Sequence, residues 1–143
     1  MDPTIRDALP ADAPEIASLL GQLGYPTDAG AAAERLERLR IVGDRVIVAE
    51  LGTSVVGLAH LQVTPAIERD RPAAKIGALV VDEAQRGRGI GRALVDELES
   101  EARARGCGLL YLTTAEERDG AHAFYERVGL VQTGRRYART LSE

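Results

Sequence analysis

Arg86-Gly87-Arg88-Gly89-Ile90-Gly91 is the stretch of this 143-residue chain whose residue types and spacing point most directly at chemistry. An apolar, β-type run, Ile76-Gly77-Ala78-Leu79-Val80-Val81, precedes it, and a helical pattern opens near Gly89 and carries on through Leu94, Leu98 and Ala102. A strand, a glycine-rich turn and a helix N-terminus make an anion site, because free backbone N–H groups and the positive end of the helix dipole converge there. Glycine lets the backbone close around a bulky oxyanion. Arg86, Arg88 and Arg92 add full positive charges and forked donors suited to phosphate. The ligand read from this segment is a phosphate or pyrophosphate. The plain alternative is a strand-to-helix turn with exposed arginines. Each glycine costs a helix ~1 kcal/mol relative to Ala, so three in alternation argue that something occupies the turn.

Two common phosphate motifs are excluded. Counting from Gly87 and Gly89, a dinucleotide fingerprint would need a third glycine where Arg92 stands. A P-loop needs Gly-Lys-Ser/Thr at its end, and none follows. What stands is Arg86-x-x-Gly89-x-Gly91 between a strand and a helix. That resembles the acyl-coenzyme A loop of the GNAT N-acetyltransferases, which a Gln or Arg begins at the same spacing. Further along, Ala121-His122-Ala123-Phe124-Tyr125-Glu126-Arg127-Val128-Gly129-Leu130 is similar to that family's A-x-x-F-Y-x-x-x-G-F segment, with Leu130 in place of the usual aromatic. The two motifs stand in family order and at family separation.

The resemblance implies an acetyl-coenzyme A-dependent N-acetyltransferase, with acetyl-CoA as co-substrate and an amine as acceptor. It implies that the backbone N–H groups from Gly87 to Arg92, Ile90 and Gly91 included, face the pyrophosphate. Leu79, Val80 and Val81 lie beside the pantetheine, Leu79 and Val81 offering main-chain groups as an extra strand would. Ala121 and Phe124 complete the cofactor contacts, and Arg118, at the place where many relatives have Asn, either reaches the cofactor or is a surface charge. Tyr125 lies beside the thioester sulfur and donates a proton to the departing thiolate. A thiol pKa of ~8.5 makes that thiolate a fair leaving group, so acid catalysis belongs at or below the low end of the usual ~10²–10⁴-fold range. The plain reading of Tyr125 is an amphipathic core residue beside Ala121, Phe124 and Val128.

An alkylammonium has a pKa near ~10.4 and attacks only after losing a proton. Relatives often carry a Glu on the strand before the loop, and this chain has Gly77 and Ala78 there. His60 is the candidate base: it lies on the alternating face Val56, Leu58, His60, Gln62, opposite Leu61 and Val63, and imidazole titrates in the right range. A hydrogen-bonded or solvated strand histidine is the alternative. Glu68, in a proline-containing loop, is either a second candidate near the acceptor or simply a solvated side chain, and a water relay without a single base is a third option. Tyr25-Pro26 either lines the acceptor mouth or is a structural turn. His122 precedes Tyr125 by one helical turn and either tunes the phenol or stands exposed on the helix, and Cys107, between two glycines and without a nearby base, reads as an inert thiol.

The elements that must position these residues alternate along the chain. Thr4 to Leu9 reads as a strand. Asp12-x-x-Glu15 with Pro14 reads as a capping-box start of a helix carrying Ile16, Leu19, Leu20 and Leu23, which ends at Gly24. A second helix spans about Ala29 to Ile41, with Leu36 and Leu39 inward. Arg45–Leu51 and Val55–Val63 read as a hairpin around Gly52-Thr53-Ser54. A polar loop over 64–74 leads to the 75–81 strand, and the long helix runs from about Gly89 to Arg105. A strand over 108–114, a short helix over 120–128 and one or two closing strands within 130–141 complete the chain. The order β-α-α-β-β-β-α-β-α-β is an α/β fold, a GNAT-like mixed central sheet with helices on both faces.

Composition sets the frame. At 143 residues the chain reads as a single domain, 1–143, and 45% apolar with 28% charged residues is ordinary globular usage. No apolar run approaches the ~18 residues of a membrane span, and Met1-Asp2-Pro3-Thr4 lacks a signal-peptide layout. The single Cys107 suits a reducing, cytoplasmic setting. A net charge of −4 speaks against nucleic acid as a partner. No metal is expected, and a homodimer is one admissible assembly. The compact chain favours a small-molecule acceptor over a protein one. The competing class is a non-catalytic acyl-CoA-binding or sensing module of the same fold, for which the missing acidic base is the main support.

Overall fold

A computed structural model describes residues 2–113, 119–134 and 136–141 of the chain. It falls into two compact units, Met1–Tyr111 and Leu112–Glu143. The first holds a five-stranded sheet in the order β1 (Thr4–Asp7), β2 (Arg45–Leu51), β3 (Ser54–Thr64), β4 (Ala73–Val81) and β5 (Leu109–Tyr111). Strands β1 to β4 run antiparallel and β5 joins β4 in parallel, giving the expected mixed sheet. Three helices belong to this unit: α1 (Ala13–Leu23), α2 (Ala29–Ile41) and α3 (Ile90–Ala104).

Local chemistry accounts for most of these boundaries. The carboxylate of Asp28 accepts the N–H of Ala31 at 2.8 Å and starts α2 where the sequence places it. The start of α1 differs from expectation. Asp12 makes no side-chain cap to α1. Its carboxylate instead accepts the Leu9 N–H at 2.7 Å and the Arg6 guanidinium at 2.8 and 3.0 Å, so a 3-10 turn over Pro10–Asp12 follows a shorter first strand. Glu15 closes no capping box: it reaches across to accept the Val55 N–H at 2.8 Å, fastening α1 to the start of β3. A tertiary partner has outcompeted the local one.

The two faces of the sheet are covered by different helices. Ala13, Ile16, Ala17 and Leu19 of α1 and Ala32 of α2 share one buried cluster with Val48, Leu58 and Val80, and Val46 and Leu36 pack against it. On the other face lie Ile90 and Leu94 of α3, with Ala49 and Gly57 directly beneath them. Arg45 ties α3 down at its far half, with Nη1 2.8 Å from Glu97 and 3.1 Å from Glu101 while its Nε holds Asp7 at 2.8 Å.

Strand β4 shifts its register against β3 halfway along. Ala59 pairs with Leu79 but Leu61 pairs with Ile76, so Gly77 and Ala78 together oppose His60: a bulge in β4. On the other edge, the ladder to β5 covers only Ala73, Ala74 and Lys75. Asp82 donates its N–H to the Val56 carbonyl at 2.8 Å. By the alternation of an antiparallel ladder, Val80 is then hydrogen-bonded to Leu58, and the main-chain groups of Leu79 and Val81 point away from β3. Beyond Lys75 that outer edge has no partner strand among the described residues.

The second unit contains α4 (Asp119–Arg127), which ends where the N–H of Leu130 reaches the Tyr125 carbonyl at 3.0 Å around Gly129. The closing strands expected within 130–141 are not formed: among the described residues there, none is in a strand. Among the described residues no helix is long and apolar enough to cross a membrane.

Candidate active site

The glycine segment takes the arrangement that its sequence demands. Residues 83–85 form a short 3-10 turn after β4, capped by Asp82, whose carboxylate faces the N–H of Ala84 at 3.3 Å. Gly87 and Gly89 then adopt left-handed conformations, φ +84° and +79°, which an L side chain resists. Gly89 is the N-cap of α3. The first intrahelical bond runs from the Ala93 N–H to the Gly89 carbonyl at 3.1 Å, so the N–H groups of Ile90 and Gly91 stand ahead of the helical ladder. Among the described residues, a Cβ built on Gly87 or Gly89 would meet nothing within 4 Å, so space is open beside the turn. Arg86, Arg88 and Arg92 are exposed around it, and Arg86 Nε donates to the Val81 carbonyl at 3.3 Å. These features fit a pyrophosphate: outward donors, positive charge and clear space.

Not every residue of the expected cofactor set contributes in the same way. Leu79 and Val81 turn main-chain groups outward. Val80 turns them to Leu58 and buries its side chain in the α1/α2 core, so it offers no outward group and acts as the spacer between its neighbours. The Ile90 side chain is likewise core, 1% exposed, and only its N–H belongs to the site. Arg118 lies outside the described residues.

His60 stands at the bulge. Its Nε2 lies 2.9 Å from Asp44 Oδ2, and the two side chains are 18% and 10% exposed. A Cβ on Gly77 would collide with its Nδ1, with ring atoms Cγ and Cε1 at 3.2 Å. The ring therefore lies over the bare backbone of Gly77. His60 also shares the sheet face of Leu58, and of Val46 opposite it, which is the face covered by α1 and α2. Asp44 is a residue that sequence reasoning missed. It comes 16 positions earlier, in the turn after α2, and no local pattern links it to a strand histidine.

In the second unit, Ala121, His122, Phe124 and Tyr125 are half-buried on α4. The Phe124 and Tyr125 rings meet edge to face at 5.8 Å, His122 lies 6.5 Å from Tyr125, and the Arg127 guanidinium stands 6.0 Å from the Phe124 centroid. The phenol thus sits in an aromatic row along one side of the helix.

The acceptor candidates are more dispersed. Tyr25 is 62% exposed just past α1, its carbonyl accepting the Thr27 hydroxyl at 2.7 Å. Glu68 is exposed in the loop between β3 and β4. A second unanticipated residue links α1 to the turn before the glycine segment: Gln22 accepts the Glu83 N–H at 3.0 Å and faces Asp82 at 3.3 Å. The connection carrying Tyr25 is thereby held to the same turn that launches the glycine segment. Cys107 is half-buried at the end of α3.

Comparison with known proteins follows the same lines. A family model described as Acetyltransferase (GNAT) family matches residues 14–130. The chain is 35% identical over 141 residues to the N-alpha-acetyltransferase RimI of Mycobacterium tuberculosis, covering 95% of this chain and 84% of that protein. It is 36% identical over 76 residues to a glucosamine 6-phosphate N-acetyltransferase of Trypanosoma brucei brucei, covering 52% of this chain and 50% of that one. Among solved structures, a Trypanosoma brucei acetyltransferase superimposes with a TM-score of 0.83 at 28% identity, covering 98% of this chain and 100% of the other.

Proposed function

The chain belongs to the GNAT acetyltransferase family, and from that premise we propose that it moves an acetyl group from acetyl-CoA to the primary amine of a small-molecule acceptor by direct attack. Acetyl-CoA is the co-substrate and supplies the activated thioester. The observation that carries the reading is the continuity of β4 with the glycine turn. Outward main-chain groups at Leu79 and Val81 lead into Gly87, Gly89 and the open N-terminus of α3. An extended pantetheine beside β4 places its pyrophosphate at that helix end.

Within this reading, Leu79 and Val81 hold the pantetheine arm, and an outward N–H of β4 stabilises the oxyanion as the amine attacks. Arg86, Arg88 and Arg92 neutralise the phosphates. Tyr125 donates its proton to the sulfur as the C–S bond breaks. Residues 1–143 act as one acetyltransferase domain, a reading supported by a family match that runs through both units. The single cysteine supports a cytoplasmic location, and a net charge of −4 supports an acceptor other than nucleic acid. A homodimer fits this picture as well as a monomer does.

A small acceptor is supported by the short chain and by the amino-sugar phosphate named for one relative. A second reading, a protein N-terminus, is favoured by the longer match to an N-alpha-acetyltransferase. Thiol release from acetyl-CoA, measured across amino sugar phosphates, small polyamines, amino acids and short peptides with free N-termini, tests both. Turnover confined to peptides would replace the first reading with the second. Tight coenzyme A binding with no thiol release on any amine would favour a sensing module instead.

A further inference from the structure

We propose that His60, oriented by Asp44, is the general base that takes the proton from the acceptor ammonium, and that Gly77, bare of a side chain at the β4 bulge, leaves room for its ring. This rests on the acetyltransferase reading above and adds to it the group that reading leaves unassigned.

The geometry starts from Asp44. The turn after α2 fixes it: the Gly43 N–H reaches Arg40 O at 3.1 Å and the Asp44 N–H reaches Leu39 O at 3.0 Å. Its carboxylate can only accept, so the 2.9 Å contact to His60 requires the proton on Nε2. The lone pair is then left on Nδ1, which is the form a base must have. Nδ1 has no hydrogen-bond partner among the described residues, and it looks over Gly77, an exposed residue with no side chain to cover it. A carboxylate side chain at 77 and this His60 rotamer would occupy the same space. The histidine therefore stands where an acid on β4 would have to stand, reached from the neighbouring strand instead.

The surroundings favour the role. His60 lies on the α1/α2 face, the face to which the Tyr25 connection belongs. The groups opposite it, Val46 on β2 and Gly77 and Ala78 on β4, carry no charge. Asp44 is the anion that pairs with it among the described residues, and on β4 the nearest charged register position is Lys75, opposite Gln62. The proton account closes. The ammonium gives one proton to His60 Nδ1, and the freed lone pair forms the C–N bond. The C–S bond breaks, the thiolate takes a proton from the Tyr125 hydroxyl, and the second amine proton restores that hydroxyl through solvent. His60 releases its proton to water, so one proton leaves per turnover.

The test compares wild type, His60→Gln, Asp44→Asn and Gly77→Ala on one confirmed amine. The expected result for H60Q is a fall in kcat/KM for the amine of ~10²–10³-fold. The acid limb of the pH profile is lost, the deficit narrows as the amine deprotonates by itself, and coenzyme A affinity by calorimetry is unchanged. D44N should show a smaller fall. A second readout needs no turnover: in a His122→Gln background the only ring left is that of His60, and its ¹⁵N NMR spectrum should show the Nε2–H tautomer in wild type and lose that preference in D44N. G77A should lower kcat by pushing the ring aside, and it carries the test if H60Q does not fold. Wild-type kcat/KM and pH profile in folded H60Q, or in G77A where that carries the test, or an Nδ1–H tautomer, would overturn the proposal. A wild-type protein that releases no thiol with any amine would instead overturn the acetyltransferase reading beneath it.

Discussion

Gly57 on β3 and Leu94 on α3 approach so closely that a Cβ on the glycine would come within 3.0 Å of Leu94 Cδ1, and within 3.2 Å of Ile90 Cγ2. The contact is with the first turns of α3, so it sets the height of the helix N-terminus above the sheet. Gly57→Ala should therefore do two things at once. Overpacking should lower stability by about 1–3 kcal/mol in denaturant unfolding. Coenzyme A affinity should also fall, because Ile90 carries one of the N–H groups ahead of the helical ladder. Lost stability with unchanged affinity would separate packing from binding at this position.

The glycine turn allows conformational strain to be told apart from ligand contact. Bulk at Gly89 or Gly91 is expected from the sequence to strike the pyrophosphate. In the structure Gly89 is left-handed, whereas Gly91 lies inside the first turn of α3. Gly89→Ala should cost about 1–2 kcal/mol in turn conformation and weaken coenzyme A binding with it. Gly91→Ala should leave stability level or raise it by up to ~1 kcal/mol, since alanine suits a helix. Any affinity lost in Gly91→Ala then reports contact with the ligand. Unchanged affinity there would remove Gly91 from the pyrophosphate site.

Tyr125→Phe keeps the ring that meets Phe124 edge to face and removes only the hydroxyl. If the phenol protonates the leaving thiolate, kcat should fall about 10–100-fold while coenzyme A affinity and Tm hardly move. The deficit should shrink above pH ~8.5, where a free thiolate needs no acid. Wild-type turnover from pH 6 to 9 would leave Tyr125 a packing residue.

Stability in acid should depend on Asp12. The Arg6 guanidinium holds its carboxyl below the usual carboxylate range; burial opposes this and the Leu9 N–H assists. A depressed folded-state pKa means that the stabilisation is present above the unfolded value of ~3.9 and is lost as pH falls through the lower folded one. Asp12→Asn should thus lose about 1–3 kcal/mol at neutral pH, and the difference from wild type should close below pH ~4. A constant difference down to pH 2, followed by urea unfolding, would assign the loss to packing.

Most local signals were legible, although Asp12 serves Leu9 and Arg6 rather than the start of α1. Asp28 capping Ala31, the Gly52 hairpin and the glycine turn before α3 all satisfy neighbours within a few residues, and their positions could be read from the chain. Glu15 could not, because the Val55 N–H it serves is 40 residues away. The same holds for Asp44, which finds His60 only through the pairing of β2 with β3. Gly77 carries a sequence signal of its own: an isolated glycine in a strand pattern often marks a bulge or a close approach, and here it is both. The apolar residues within 130–141 suggested strands, but periodicity shows only that a segment could pair, not that an edge is available to it.

The outer edge of β4 past Lys75 has a consequence for how the protein behaves in a test tube. An edge that presents main-chain donors and acceptors to an extended ligand presents them equally to any extended peptide, another copy of this chain included. If coenzyme A takes that edge, as proposed, the ligand is also a plug. Preparations stripped of it should self-associate on concentration or mild heating, and saturating coenzyme A should suppress that association in light scattering. The colloidal stability of the protein would then track the supply of its own co-substrate.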